Sequence, residues 1–449
     1  MKNQTEDIFE PAVPVVPQDW DVMPFERAVD VISDKSKRVK QREYVPSGKL
    51  PVIDQGQDFI GGYTDDENMA FEGELPVILF GDHTRAIKYV DKPFAVGAEG
   101  VKILKPSEGF DPKYLYYLLR SLQIPSRGYS RHFQFLRKFH FPRAPSAQQK
   151  QIVAEIEKQF SRLDEAVANL KRVKANLKRY KAAVLKAAVE GRLVETEAEI
   201  ARREGRGYET GEQLLQRILE TRRSQWQGNG KYKEPAAPDT TVLPELPDGW
   251  VWVSLGSLGD VIGGLTKNPK RATLKKKLPY LRVANVYANK LRLDEIEEIG
   301  VDDSELDKLL VHTGDLLIVE GNGSPDQIGR LAIWDGSISP CVHQNHLIKA
   351  RLHQACAPEW VMNWLMSPDG RDHVRNVASS TSGLYTLSVG KVSALPIPLP
   401  PVSEQRRIIA EVDRRLSLLR ETDIQVDANL QRAERMRQAI LKKSFAYSA

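Results

Sequence analysis

Three side chains able to ligate a metal, Cys341, His343 and His346, fall within six positions. In strand-like text a run of six points its side chains to alternate faces, so the three do not all share one, and no second ligand cluster accompanies them, so a zinc site is not expected. Gly321-Asn322-Gly323 begins like a dinucleotide-binding fingerprint, but Asp326 stands where the third glycine belongs, and a strand-connecting turn is the expectation. Asn268-Pro269-Lys270 lacks the second proline and the aromatic that an adenine methyltransferase places around its target base. There is no glycine-rich phosphate loop ending in Lys-Ser or Lys-Thr. No catalytic or metal-binding residue is expected.

The cationic residues are more informative. Lys35, Lys37, Arg38, Lys40 and Arg42 follow Asp30-Val31-Ile32. Lys267, Lys270, Arg271, Lys275, Lys276 and Lys277 follow Asp260-Val261-Ile262, with no acid among them. A cationic loop at the same place in each half suits phosphate contacts, which position a protein on DNA without reading its sequence. Polar loops able to read base edges lie elsewhere. Gly81-Asp82-His83-Thr84-Arg85 and Glu320-Gly321-Asn322-Gly323-Ser324 each follow an apolar run, and Arg127 to His132 and Ser379 to Tyr385 add further polar side chains. Arg pairs bidentately with guanine, and Asn or Gln with adenine. The candidates are His83, Arg85, Arg127, Arg131, Asn322, Ser324, Ser380, Thr381 and Tyr385. Lys171, Arg172, Lys174, Lys178, Arg179 and Lys181, with no acid across 166–189, fit DNA, an acidic partner or a solvated helix face equally.

Composition narrows the class. Of 449 residues 41% are hydrophobic and 28% charged, ordinary for a globular chain of two or three domains. The net charge is only +5, so the distribution of charge matters more than its total. Two cysteines, Cys341 and Cys356, exclude a disulfide scaffold and fit a reducing, cytoplasmic location. No apolar run approaches the ~18 residues of a membrane span, and the acidic, Pro-rich stretch 1–17 does not have a signal peptide's pattern.

An internal repeat organises the chain. Gln148-Gln149-Lys150-Gln151-Ile152 corresponds to Glu404-Gln405-Arg406-Arg407-Ile408, 256 positions later. Trp20 and Asp30-Val31-Ile32 correspond to Trp250 and Asp260-Val261-Ile262, 230 positions later. The second half therefore carries extra residues between its landmarks. Each half reads as a globular block followed by a long helix. Ile156, Leu163, Leu170, Leu177 and Val184 recur every seven residues, as do Val412, Leu419, Val426, Ala433 and Ile440; this is a coiled-coil seam. Phe160 and Val167, then Val173 and Tyr180, read as its second row. A helix over about 147–190 would be roughly 65 Å long at ~1.5 Å per residue, and so narrow a stripe needs a partner stripe. Antiparallel pairing of the two helices is expected.

Proline-dense stretches, Phe141 to Pro145 and Leu395 to Pro401, are read as stiff extended leads into the helices, outside strand and helix. Thr210 to Trp226 looks helical, with a capping box of Thr210 and Gln213. Val77-Ile78-Leu79-Phe80, Leu316-Leu317-Ile318-Val319 and Leu331-Ala332-Ile333-Trp334 look like buried strands. The fold class is a tandem α/β (α+β) repeat. Its expected parts are a first block over 1–145, a first helical spacer over 146–194, a linker with a short helix over 195–245, a second block over 246–401 and a second helical spacer over 402–449.

Taken together, these residues resemble the specificity (S) subunit of type I restriction–modification systems. The resemblance rests on Pro17-Gln18-Asp19-Trp20 and Leu246-Pro247-Asp248-Gly249-Trp250 opening the blocks, Gly314-Asp315-Leu316-Leu317-Ile318 in mid-block, and Glu404-Gln405-Arg406-Arg407-Ile408 after a Pro-rich lead. Tyr208-Glu209-Thr210-Gly211-Glu212 resembles the family's central linker, and Gln344-Asn345-His346-Leu347 its Asn-Gln-His segment with altered order. The resemblance implies a non-catalytic, DNA-binding subunit with two target recognition domains, each reading one half of an asymmetric bipartite site. It adds Gln344 and Asn345 to the candidate contacts. The helix pair would set the gap and dock two methyltransferase subunits, with motor–nuclease subunits joining them. S-adenosylmethionine, ATP and Mg²⁺ would belong to those partners, and no membrane is involved. A specificity subunit of another restriction class, a coiled-coil scaffold that binds no DNA, and an enzyme with an unrecognised site are the alternatives.

Overall fold

The structure is a computed structural model that describes residues 9–33, 37–98, 100–126, 128, 131–227, 230–381 and 383–446. By its internal contacts the chain divides into two compact units, Met1–Arg172 with Gln425–Ala449, and Val173–Ile424.

The first unit begins with buried Trp20, strand β1 (Asp21–Pro24), the one-turn helix α1 (Phe25–Ala28) and β2 (Val29–Ile32). There follow β3 (Arg38–Val39), β4 (Leu50–Ile53), β5 (Gly62–Thr64), β6 (Val77–Gly81), β7 (Ile87–Val90), β8 (Ala95–Gly97) and β9 (Val101–Pro106). One antiparallel sheet has the order β2-β9-β6-β7; a second, of mixed direction, has the order β3-β8-β4-β5. Every residue of β6 is buried, as its unbroken apolar run requires of a strand covered on both faces. Helix α2 (Pro112–Ser121) starts where the Asp111 carboxylate accepts the backbone N–H of Lys113 and Tyr114, with Pro112 at the first helical position. Its apolar face (Tyr114, Leu115, Leu118, Leu119) shares a core with Ile78, Phe80 and Leu104. A short α3 (Phe133–Leu136) and β10 (His140–Arg143) lead to α4 (Ser146–Val189), a helix of 44 residues.

The second unit contains α5 (Glu197–Glu204) and α6 (Gly211–Ser224). Thr210 and Gln213 form the capping box of α6, and Leu214 and Ile218 are its buried stripe. The block then repeats the plan of the first: β11 (Val251–Ser254), α7 (Leu255–Leu258) and β12 (Gly259–Gly263). Next come β13 (Lys277–Leu281), β14 (Val286–Tyr287), β15 (Lys290–Leu291), β16 (Glu297–Gly300), α8 (Leu306–Leu309), β17 (Leu316–Val319), β18 (Gly321–Asn322), β19 (Leu331–Ile333), β20 (Val342–His343) and β21 (Leu347–Leu352). The block closes with α9 (Pro358–Met366), α10 (Pro368–Val377), β22 (Ser379–Thr381), β23 (Leu384–Thr386), α11 (Val389–Ser393) and β24 (Pro396–Leu399), before α12 (Val402–Ser444). Its main sheet has the order β12-β21-β17-β19, the counterpart of β2-β9-β6-β7. Asp30 lies opposite Lys105 in the one, and Asp260 opposite Arg351 in the other.

Most of each proline-dense lead is strand, which corrects the expectation of extended backbone outside any strand. Among the described residues β10 pairs only with β1, and β24 only with β11. A two-stranded pair leaves each strand one unpaired edge, and Pro396 and Pro398, two apart, turn their missing N–H to the same edge.

Within each unit the long helices meet antiparallel. In the first unit Arg437 of α12 forms an ion pair with Asp164 of α4 and lies 4.8 Å over the Phe160 ring. Leu441 sits wholly buried in the core that holds Ile156 and Phe160. In the second unit Arg415 lies beside Tyr180, while Arg407 reaches back to Glu197. Numbering rises along one helix as it falls along the other. Ile156, Leu163, Val184, Val412, Val426 and Ala433 are buried, and Leu170, Leu177, Leu419 and Ile440 half-buried. Val173 and Tyr180, read as seam positions, are instead 39% and 47% exposed. Two helices bury only one narrow stripe each, and the straight 3.6-residue period carries the second row to the flank. Among the described residues no helix is long and apolar enough to cross a membrane.

Candidate nucleic-acid interface

In the second unit, the segment after β12 begins where Leu265 bridges to Gln344. Lys270, Lys275 and Lys277 are exposed. The other three cations are partnered from across the fold: Lys267 by Glu297 at 3.3 Å, Arg271 by both oxygens of Glu305 at 3.0 and 3.2 Å, and Lys276 by Asp303 at 2.7 Å. Arg271 is largely buried and also donates to the carbonyl of Thr266 at 2.9 Å. It ties the loop to the body of the block.

The polar candidates of this unit gather around a second, three-stranded sheet, β18-β23-β22. Asn322 pairs with Tyr385, and Tyr385 with Ser380, so these three share one face. Asn322 uses its side-chain oxygen to accept the Ser324 N–H at 2.9 Å, and Ser324 accepts that of Asp326 at 3.3 Å. Tyr385 packs partly against the core. Ser380 is exposed, and Thr381 completes β22. Gln344 and Asn345 are half-buried in the turn between β20 and β21, their N–H groups donated to Leu281 and Leu265.

In the first unit, the turn after β6 carries His83 and Arg85. Arg85 has φ +60° and donates Nη1–H to the Ile124 carbonyl at 2.9 Å. The Asp82 carbonyl accepts the His132 N–H at 2.8 Å, and the Asp82 carboxylate that of Phe133 at 2.9 Å. These bonds bring exposed Arg131 beside the 82–85 turn. Arg127 and Lys35 lie outside the described residues. Lys37 pairs with Glu72, and Arg38 donates to the Val101 carbonyl at 2.9 Å. Lys40 and Arg42 are exposed. A cavity of about 690 Å³ opens beside the turn, lined by Arg85, Lys88, Arg120 and Gln123. The Lys88 ammonium is buried against the Asp54 and Asp58 carbonyls at 2.9 and 2.5 Å, and burial pulls its pKa below the usual lysine value.

Cys341, His343 and His346 face three different partners. The Cys341 thiol, pushed up to about 12 by burial, points to the Pro279 carbonyl at 3.4 Å. His343 is wholly buried with Nδ1 3.0 Å from the Leu309 carbonyl, and burial followed by the nearby Lys349 charge pulls it down to about 4. His346 is exposed, its Nδ1 2.9 Å from a Glu320 carboxylate oxygen.

Two groups escape sequence reading. Arg292 and Arg330 flank the Tyr287 ring at 4.8 and 5.0 Å, from positions too far apart in sequence to suggest a set. Glu320, His346, Ser379, Thr386 and Lys391 line an open groove of about 350 Å³. Glu320, His346 and Ser379 each lie in a segment singled out from the sequence, but nothing in the sequence joins the five.

No family model matches the chain. The type I restriction enzyme EcoKI specificity subunit of Escherichia coli (strain K12) is 26% identical over 311 residues, 68% of this chain and 57% of that protein. The StySPI specificity subunit of Salmonella potsdam is 26% identical over 199 residues, 44% of this chain and 42% of that protein. The matches thus span about half the length of these relatives. Among solved structures, a chain described under "Structural basis underlying complex assembly and conformational transition of the type I R-M system" aligns over 96% of this chain and 98% of its own, with a TM-score of 0.57 and 17% identity. That likeness is one of fold. In sequence, the chain is thus similar to the specificity subunits of type I restriction enzymes.

Proposed function

We propose that the chain is the DNA-recognition subunit of a type I restriction–modification complex. Each block reads one half of an asymmetric, bipartite duplex site. The paired long helices set the gap and carry the surfaces on which two methyltransferase subunits dock, with motor–nuclease subunits completing the assembly. S-adenosylmethionine, ATP and Mg²⁺ are assigned to those partners.

The observation that carries this reading is the duplication. The sheets β2-β9-β6-β7 and β12-β21-β17-β19 repeat one strand order, while the loops around them differ. A repeated scaffold with unlike loops suits a target whose two halves differ. The cationic segments after β2 and β12 supply sequence-independent phosphate contacts, and the polar turns supply base contacts.

The test removes one heptad from each long helix. That shortens a helix by roughly 10 Å, or about three base pairs of ~3.4 Å. The gap in the site selected from random duplexes should shorten accordingly, with both half-sites unchanged. An unaltered gap would remove the helices from that role, and failure of the unmodified chain to select a bipartite site would end the reading.

A further inference from the structure

The sheet β18-β23-β22 has no counterpart among the described residues of the first unit, although the main sheets β2-β9-β6-β7 and β12-β21-β17-β19 correspond strand for strand. If the shared scaffold positions the chain on DNA, the unshared elements are where the two half-sites are told apart. The two faces of this small sheet are not equivalent. Asn322, Tyr385 and Ser380 share one face, and on it Tyr385 packs partly against the core. The opposite face carries the row Gly321, Thr386 and Ser379, and this row floors the open groove.

The groove is built for a mixed polar and apolar edge. Gly321 contributes no side chain to its floor, and a Cβ there would first meet Thr386 and Tyr385 atoms at 3.7–3.8 Å, so the floor is open without being strained. Lys391 stands on one side with Nζ on the Ser379 hydroxyl. His346 stands on the other, held by Glu320 at 2.9 Å, while the Glu320 N–H donates to the His346 carbonyl and its own carbonyl accepts the Leu387 N–H. Leu384, 48% exposed, lies at the rim. A cation donor, an imidazole fixed by a carboxylate, a hydroxyl and an apolar rim match what a base pair presents in the major groove: acceptors on guanine, an amino donor on cytosine or adenine, and the thymine methyl. The turn that carries His346 also meets Leu265, from which the lysine-bearing segment departs; charge beside the groove thus suits phosphates next to the bases read.

We propose that this groove is the base-reading cleft of the second half-site, with Lys391 and His346 as specificity-determining residues and duplex DNA in its major groove as the occupant. Glu320 positions His346, and Asn322 and Tyr385 shape the sheet from behind. The inference rests on the function proposed above and adds to it the residues that choose bases in one half.

The experiment selects bound duplexes from a random-sequence pool with the full chain and with Lys391→Ala, His346→Ala and Glu320→Gln. His346 is exposed and Lys391 half-buried, and equal thermal melting of each variant guards against misfolding. The expected result for Lys391→Ala and His346→Ala is about ten-fold lost discrimination at one or two positions of a single half-site, the scale of one base-edge contact, with the other half-site intact. Glu320→Gln should weaken the same position that His346→Ala affects. Unchanged preference at every position overturns the cleft, as does an affinity loss equal across all sequences, which marks phosphate contact only. A native chain that selects no motif overturns the underlying function instead, so the two failures are told apart.

Discussion

The Trp250 indole donates its Nε1–H to a Glu404 carboxylate oxygen 3.0 Å away, in a wholly buried bond between the start of the second block and the start of its long helix. The first unit makes the same bond from Trp20 to Gln148 at 2.8 Å. The neighbouring glutamines repeat too. Gln149 donates to the Ala144 carbonyl and accepts the Asp111 N–H; Gln405 donates to the Pro400 carbonyl and accepts the Ala357 N–H. Asp111 and Ala357 are the residues just before α2 and α9. One helix end is thus fastened to its block at equivalent points in both halves. The halves differ in one atom type: the second oxygen of Glu404 accepts the Glu197 N–H at 2.9 Å, whereas the Gln148 amide donates to Asp19.

That difference gives the first prediction. Burial pushes the Glu404 carboxyl above its usual range, opposed by the hydrogen bonds from Glu197 and Trp250. Glu404→Gln retains one acceptor and turns the other into a donor facing an N–H. It should cost about 1–3 kcal/mol, the range for a buried unsatisfied donor. Gln148→Glu in the half-exposed first site should cost less than 1 kcal/mol. Urea unfolding of the two single variants checks the asymmetry; equal losses would show that the linker contact is energetically silent.

Burial along α12 gives the second. Leu441 is fully buried in the first unit's core, while Leu418 is 55% exposed. Leu441→Ala should destabilise by about 2–5 kcal/mol, and Leu418→Ala by less than about 0.5 kcal/mol. Denaturation curves read both, and a reversed order would contradict the antiparallel seating of the helix on that core.

The third concerns acid. Burial raises the Glu197 pKa, but hydrogen bonds from Arg206 at 2.7 Å and Arg407 at 2.6 Å outweigh it and hold the carboxyl at about 2. A carboxylate lowered in this way stabilises the fold fully above its ordinary value near 4.5, and the contribution is lost as pH falls toward about 2. Glu197→Gln should therefore cost about 2 kcal/mol at pH 7, and the gap from the native chain should narrow steadily between pH 4.5 and 2. Unfolding measured across that window would show a constant gap if the arginines contributed nothing.

Local patterns made much of this fold legible. The Thr210–Gln213 box announced α6, the apolar run 77–80 announced β6, and the seven-residue spacing announced two antiparallel helices, because each signal involves neighbours in sequence. What stayed hidden depends on partners far away. The lysine segment reads as acid-free, yet Glu297, Asp303 and Glu305 come from across the block to pair with Lys267, Lys276 and Arg271. The prolines at 396 and 398 spoke against a strand, because only the topology tells that β24 keeps an unpaired edge. Val173 and Tyr180 fit the heptad by type, and only the drift of a straight helix exposes them. The groove residues Glu320, His346 and Lys391 carry no spacing that could join them before folding.

The lysines with and without an acidic partner among the described residues give the last prediction. Lys275 and Lys277 are exposed, whereas Lys276 already serves Asp303. Each phosphate neutralised by a lysine contributes about 0.9 to the slope of log affinity against log salt. Replacing Lys275 and Lys277 together by Ala should flatten that slope by about 1.8 and weaken binding alike on specific and unrelated duplexes, since phosphate contacts carry no sequence information. Arg271→Ala should behave differently. It frees Glu305 and loosens the loop, so its loss should appear first in thermal stability. Filter binding at several salt concentrations, alongside melting curves, separates the two outcomes; an unchanged slope for the double variant would take this loop off the DNA.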